Sequence, residues 1–200
     1  MIIRENKVEN YKKFAKCLLS NLNCVVRNCS ALHNGCAIEA TIIYDRCCLS
    51  MGRREGKTTF SLIRGIGEAL MRSGNNIVIY VADTSCVKIC QERMAEMLNP
   101  LYLIDYTRNN SYRLINGSTI TIRHIVDIET NYDLVIIDDI CWFNDEQIRG
   151  LKEIKDKCDN MIIVTSDSMN KRDAYNFFDD VKNDNSFTFI RFENLDEEDC

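Results

Sequence analysis

Apolar residues along this 200-residue chain follow two periodicities that alternate from one short segment to the next. Continuous apolar runs of strand length lie within Cys47 to Met51, Ile77 to Ala82, Asp133 to Asp138 and Met161 to Thr165, and a mixed run spans Phe187 to Phe192. Runs without alternation predict strands covered on both faces, the pattern of parallel sheets. Between the runs the spacing opens to three and four. Phe60, Leu62, Ile63, Ile66, Ala69 and Leu70 keep a helical period up to Gly74, and Val87, Cys90, Met94 and Met97 mark a second helix before Pro100. Ile148, Leu151 and Ile154 mark a third, and Ala174, Phe177, Phe178 and Val181 a fourth. Asp83, Thr84 and Ser85 offer capping oxygens to the second helix, and Asn144 with Gln147 reads as a capping box for the third.

Two further segments complete the pattern. Val8, Tyr11, Phe14, Leu18 and Leu22 predict a helix within residues 8–26, followed by a strand-like run from Ala40 to Tyr44. YRLINGSTITIR, residues 112–123, sets Asn116-Gly117 between alternating segments, a hairpin signal. Strands alternating with helices predict an α/β fold: three layers, with a mostly parallel central sheet and helices on both faces. The chain divides into an N-terminal helical segment (1–38), an α/β domain (39–192) and an acidic tail, ENLDEEDC (193–200).

Composition narrows the classes. Hydrophobic residues at 46% and charged residues at 28% suit a globular chain, and the longest apolar runs are far too short to cross a bilayer, so no membrane partner is expected. A net charge of −5 does not favour a nucleic-acid binder held by bulk electrostatics, although a local basic patch stays open. The first residues mix charge with short apolar pieces and lack a signal peptide's core, so an intracellular, reducing compartment is expected. Eleven cysteines in an odd, irregular arrangement then read as reduced thiols. Cys24, Cys29, His33 and Cys36 could supply four zinc ligands, but their spacing fits no metal motif; Cys86 and Cys90, one helical turn apart, read as core.

The chemistry sits in CCLSMGRREGKTTFSL, residues 47–62. A buried strand runs into a turn, and a helix follows. Gly56 leaves backbone amides free to approach an anion, Lys57 adds a cation, and the Thr58 hydroxyl sits on the first helical turn, where Mg²⁺ would lie. The segment predicts a nucleotide site of the P-loop type. Downstream, YDLVIIDDI (132–140) reads as an apolar strand delivering Asp138 and Asp139 to the sheet's carboxyl edge. Asp138 would hold Mg²⁺ and Asp139 would orient or activate the attacking water.

GRREGKTT resembles the altered phosphate loop of the large subunit of viral DNA-packaging terminases, in which the first glycine is often replaced and arginine precedes Gly-Lys-Thr. Met51 stands where the usual loop has glycine, and Arg53 matches the arginine thought to act in cis on the γ-phosphate. YRLINGSTITIR is similar to the Asn-Gly-Ser hairpin that terminases carry before the acidic strand, and MIIVTSDS resembles their coupling motif, with Thr165 and Ser166 at the strand's end. The resemblance covers roughly residues 40–190 and implies a P-loop ATPase of the additional-strand class, its coupling strand lying between the other two motif strands. It implies ATP and Mg²⁺ as cofactors. Gly52, Arg54, Glu55, Gly56, Lys57, Thr58, Thr59, Thr165 and Ser166 would contact nucleotide, Thr58 and Asp138 would hold the metal, and Arg53, Lys57 and Asp139 would be catalytic. Implied partners are double-stranded DNA, a capsid portal, a small terminase subunit and further copies in a ring, in the nucleus or cytoplasm of a host cell. Two departures stand out. The family's glutamate after the metal-binding acid is Asp139 here, and its nuclease carboxylates have no counterpart in these residues, which leaves open a separate nuclease chain or a nuclease that was removed. A helicase-like DNA-dependent ATPase and a nucleotide-binding assembly or regulatory protein with weak hydrolysis remain the alternative readings.

Overall fold

A computed structural model describes residues 45–52, 56–101, 103–166 and 172–191. Eight strands form one sheet: β1 (Arg46–Ser50), β2 (Asn76–Tyr80), β3 (Ile104–Arg108), β4 (Ser111–Leu114), β5 (Thr119–Arg123), β6 (Leu134–Ile137), β7 (Met161–Thr165) and β8 (Thr188–Arg191). Four α-helices accompany them: α1 (Lys57–Met71), α2 (Thr84–Leu98), α3 (Asp145–Lys155) and α4 (Arg172–Lys182). The strand order is β3-β4-β5-β2-β6-β7-β1-β8. Pairing is parallel from β5 to β8 across the sheet and antiparallel only at β3–β4 and β4–β5.

Side-chain alternation splits the core into two layers. Leu49, Ile77, Ile79, Ile120, Ile136 and Ile162 pack with Phe60, Ile63, Met94 and Met97 of α1 and α2. Their sequence neighbours Cys48, Val78, Val135, Ile137 and Ile163 pack with Leu151, Ile154, Phe177 and Val181 of α3 and α4. A strand that buries both faces must be apolar throughout, which explains the unbroken runs. Close packing of α1 depends on Gly65, where a Cβ would stand 3.1 Å from the Ile79 Cδ1.

The predicted elements are present within the described residues, with bounds moved by a residue or two. Asp83 caps α2 by accepting from the Cys86 amide at 2.8 Å, and Asn144 and Gln147 form the expected box on α3. Gln147 does more than cap. Buried, its Nε2 donates to the carbonyls of Val81, Ala82 and His124, tying α3 to the ends of β2 and β5. The Asn116-Gly117-Ser118 turn joins β4 to β5 as predicted, and its polar atoms finish another element: Asn116 Nδ2 donates to the Ala69 carbonyl at 2.7 Å and Ser118 Oγ to the Arg72 carbonyl at 2.8 Å. These carbonyls, in and just after the last turn of α1, would otherwise lack partners. One strand was not predicted: β3, joined to β4 through Asn109 and Asn110, both with positive φ (47° and 64°).

The helix at residues 8–26, the strand at 40–44, the acidic tail and the Cys24/Cys29/His33/Cys36 group lie outside the described residues. Among the described residues the cysteines are free thiols, all buried except the half-buried Cys86, and no cluster of three or more His, Cys, Asp or Glu could hold a metal ion. No described helix is long and apolar enough to cross a membrane.

Stability measurements can test the packing. Leu151→Ala is expected to cost about 3 kcal/mol in urea unfolding, as the side chain is fully buried, whereas Ile115→Ala, at a two-thirds exposed position, should stay within about 0.5 kcal/mol. Ser118→Ala removes both the donor to Arg72 and the acceptor for the Asn75 amide and should cost about 1–2 kcal/mol.

Candidate nucleotide site

Three strand ends meet at one edge of the sheet. Because β6, β7 and β1 are neighbours and parallel, their carboxyl ends bring together Asp138-Asp139, Thr165-Ser166 and the turn into α1. The strand ending in Thr165 lies between the other two, where the terminase resemblance implied it would. The Thr165 carbonyl accepts from the Met51 amide at 3.0 Å, so the chain entering the loop is fixed to the end of β7. Gly56 then precedes α1 at φ 80°, a left-handed conformation that a β-carbon would strain, and this is the local reason for glycine before lysine.

Asp138 is buried, and both its oxygens are engaged. Thr58 Oγ1 donates to Oδ2 at 2.8 Å and Ser61 Oγ donates to Oδ1 at 2.9 Å, while the Asp138 amide donates to the Tyr80 carbonyl. Burial pushes the carboxyl's pKa up to about 6, against the pull of the two hydroxyls; the adjacent Asp139 charge adds to the rise and Lys57 opposes it. Lys57, also buried, donates from Nζ to the Gly52 carbonyl at 3.0 Å and lies 3.6 Å from Asp139 Oδ2.

Asp139 has φ 55° and ψ 65°, left-handed backbone at a non-glycine residue. Such a conformation costs about 1–3 kcal/mol and persists only where surrounding contacts hold it. A single 3-10 turn, Ile140–Trp142, follows and folds the chain back over the end of β7. Cys141 on that turn brings its Sγ to 2.6 Å from Asp139 Oδ1 and 2.9 Å from Ser166 Oγ, and Ser166 Oγ lies 3.3 Å from the same Asp139 oxygen. Burial raises the Cys141 thiol's pKa above its ordinary value.

Of the site residues expected from sequence, the structure brings Gly52, Gly56, Lys57, Thr58, Asp138, Asp139, Thr165 and Ser166 to this edge. The fully buried Thr59 instead turns its hydroxyl to α2, where it accepts from Arg93 Nη1 at 3.3 Å. Arg53, Arg54 and Glu55 lie outside the described residues. Sequence reasoning missed Ser61 and Cys141. Ser61 lies one helical turn after Thr58, so it shares the face that meets Asp138, a spacing that could have flagged it. A cavity of about 280 Å³ abuts the edge at Ser50 and Ser166 and is lined further by Tyr175, Phe178 and Arg191.

The arrangement offers anion-binding amides and a lysine beside a buried oxygen pair, one neutral and one acidic. No protein-family model matches the chain, and no curated protein matches it in sequence. Solved structures do share its fold. The HK97 bacteriophage large terminase superposes with a TM-score of 0.61 at 16% identity, over 78% of this chain and 38% of that one. The large terminase ATPase domain of Thermus phage P74-26 superposes with a TM-score of 0.51 at 12% identity, over 74% of this chain and 75% of that one. This chain therefore spans well under half of the HK97 protein. Its fold is that of phage large-terminase ATPase domains.

Proposed function

We propose that the chain is an ATP-hydrolysing motor domain that drives double-stranded DNA into a viral capsid. The observation that carries this reading is the clasp at the sheet edge, where Thr58 and Ser61 hold Asp138 while Lys57 faces Asp139. A buried carboxylate against a helical hydroxyl, beside a lysine and the amides that open a helix, is the donor set a magnesium-bound triphosphate needs. The fold shared with terminase ATPase domains supports the packaging part.

On this reading the outer phosphates rest on the amides opening α1, and Lys57 exchanges its contact with Asp139 for one with phosphate. Thr58 and Asp138 would hold Mg²⁺, which would neutralise charge on the phosphate oxygens. Asp139 orients the attacking water and takes its proton. Arg53 reaches the γ-phosphate in cis, where a guanidinium stabilises charge developing on the phosphoryl oxygens. Arg54 and Glu55 would contact the nucleotide, and Thr165 and Ser166, at the end of β7, would report the state of the γ-phosphate to the strand. Working partners would be duplex DNA, a portal, a small subunit and further copies of this one in a ring.

Turnover assays test the reading. Lys57→Ala and Asp138→Ala should each lower ATP hydrolysis at least about 100-fold, and Arg53→Ala should lower kcat by a similar factor with nucleotide affinity changed no more than about threefold. Variants that hydrolyse as wild type does would remove the enzymatic reading. Stimulation by duplex DNA favours the motor, and strand separation on forked DNA without portal partners would favour a helicase-like enzyme instead.

Asp138 also predicts a pH dependence. Its folded pKa lies above the ordinary carboxylate value, so the folded state holds the proton more tightly than the unfolded chain, and stability falls as pH rises through the interval from about 4 to about 6. In metal-free buffer Asp138→Asn should escape that fall and unfold on the order of 2 kcal/mol later than wild type above pH 6. Adding Mg²⁺ and ATP should reverse the order, because only wild type gains ligand stabilisation. Parallel pH profiles for the two proteins would contradict the buried-charge account.

A further inference from the structure

We infer that Cys141 is a positioning residue for Asp139, fixing one carboxylate oxygen so that the other faces the phosphate site; this rests on the ATPase reading above. The two oxygens of Asp139 have different surroundings. Oδ1 is taken by the thiol at 2.6 Å and by the Ser166 hydroxyl at 3.3 Å, whereas Oδ2 faces Lys57 Nζ at 3.6 Å. When a phosphate draws Lys57 away, Oδ2 loses its cation and becomes the oxygen open to a water. Oδ1 cannot take that role while Cys141 and Ser166 hold it.

The thiol is itself held in place. Trp142 and Phe143 donate backbone hydrogen bonds to the carbonyls of Asp139 and Ile140 within the turn, and Ile140 and Phe143 on either side of it are buried in the core. The backbone that carries Cys141 is therefore fixed against that layer, and the buried thiol is held by its contacts with Asp139 and Ser166. Its raised pKa keeps the S–H protonated at neutral pH, as a donor to the carboxylate. An aspartate has one rotatable bond fewer than glutamate, so its carboxylate direction is set by the backbone and by whatever grips it. Here the backbone is left-handed and the grip is a thiol. The same Sγ touches Ser166 at 2.9 Å, so a shift at the end of β7 would reach Asp139 through this contact.

The experiment compares steady-state ATP hydrolysis by the purified chain, with Mg²⁺, in wild type, Cys141→Ala, Cys141→Ser and Lys57→Ala, with melting temperature measured for each. Cys141→Ala is expected to lower kcat about tenfold while KM stays within about twofold. Cys141→Ser keeps a donor at the same position and should return kcat to within about threefold of wild type. A wild-type kcat in Cys141→Ala overturns the inference, as does an equal loss in the alanine and serine variants, which would mark a packing role. A wild type no more active than Lys57→Ala overturns the ATPase reading and this inference together. An active wild type with an unaffected alanine variant overturns this inference alone.

Discussion

A charged carboxylate taken out of water must be met by donors, and in this chain that requirement fixes the geometry of the whole sheet edge. Asp138 ends β6 deep in the protein, and the donors it finds are the hydroxyls of Thr58 and Ser61 on the first turns of α1. The contact locks together segments about 80 residues apart. The neutral hydroxyls offset only part of the cost of burial, which is why the pKa stays raised.

The layers around the edge serve this contact. β7 separates β6 from β1, so the helix that follows β1 must arch over the end of β7 to reach Asp138, and the bond from Met51 to Thr165 marks the start of that arch. The Asn116-Gly117-Ser118 turn finishes the far end of α1, and Gly65 lets its middle press on β2. Both ends and the middle of α1 are therefore constrained, and its opening turn stays aimed at the site. On the opposite face, Gln147 ties α3 to the ends of β2 and β5, and the turn at Ile140–Trp142 directly follows the two acids.

Much of this was legible in the sequence because its causes are local. Unbroken apolar runs signalled doubly covered strands, and the capping oxygens of Asp83 and Asn144 marked helix starts that the structure has. Glycine before lysine and paired acids after LVII marked two segments that the structure brings to one sheet edge. β3 escaped because it is an edge strand whose side chains are largely exposed, leaving no alternation to detect. Its best signal was the pair Asn109-Asn110, residues that tolerate left-handed backbone in a tight hairpin. Ser61 looked like an ordinary polar residue in a helix, since only the arrival of β6 turns it into a carboxylate partner. Cys141 read as one more thiol, because its role depends on a left-handed residue two places earlier that reverses the chain.

Where a nucleotide binds decides whether this sheet edge is the site. A crystal structure of the chain with Mg²⁺ and a non-hydrolysable ATP analogue tests it most directly. The predicted result has the outer phosphates against the amides opening α1 and Lys57 Nζ, with the metal between the Thr58 hydroxyl and the Asp138 carboxylate. A nucleotide bound elsewhere, with the hydrogen bonds from Thr58 and Ser61 to Asp138 and the Lys57–Asp139 pair left as they are, would contradict it.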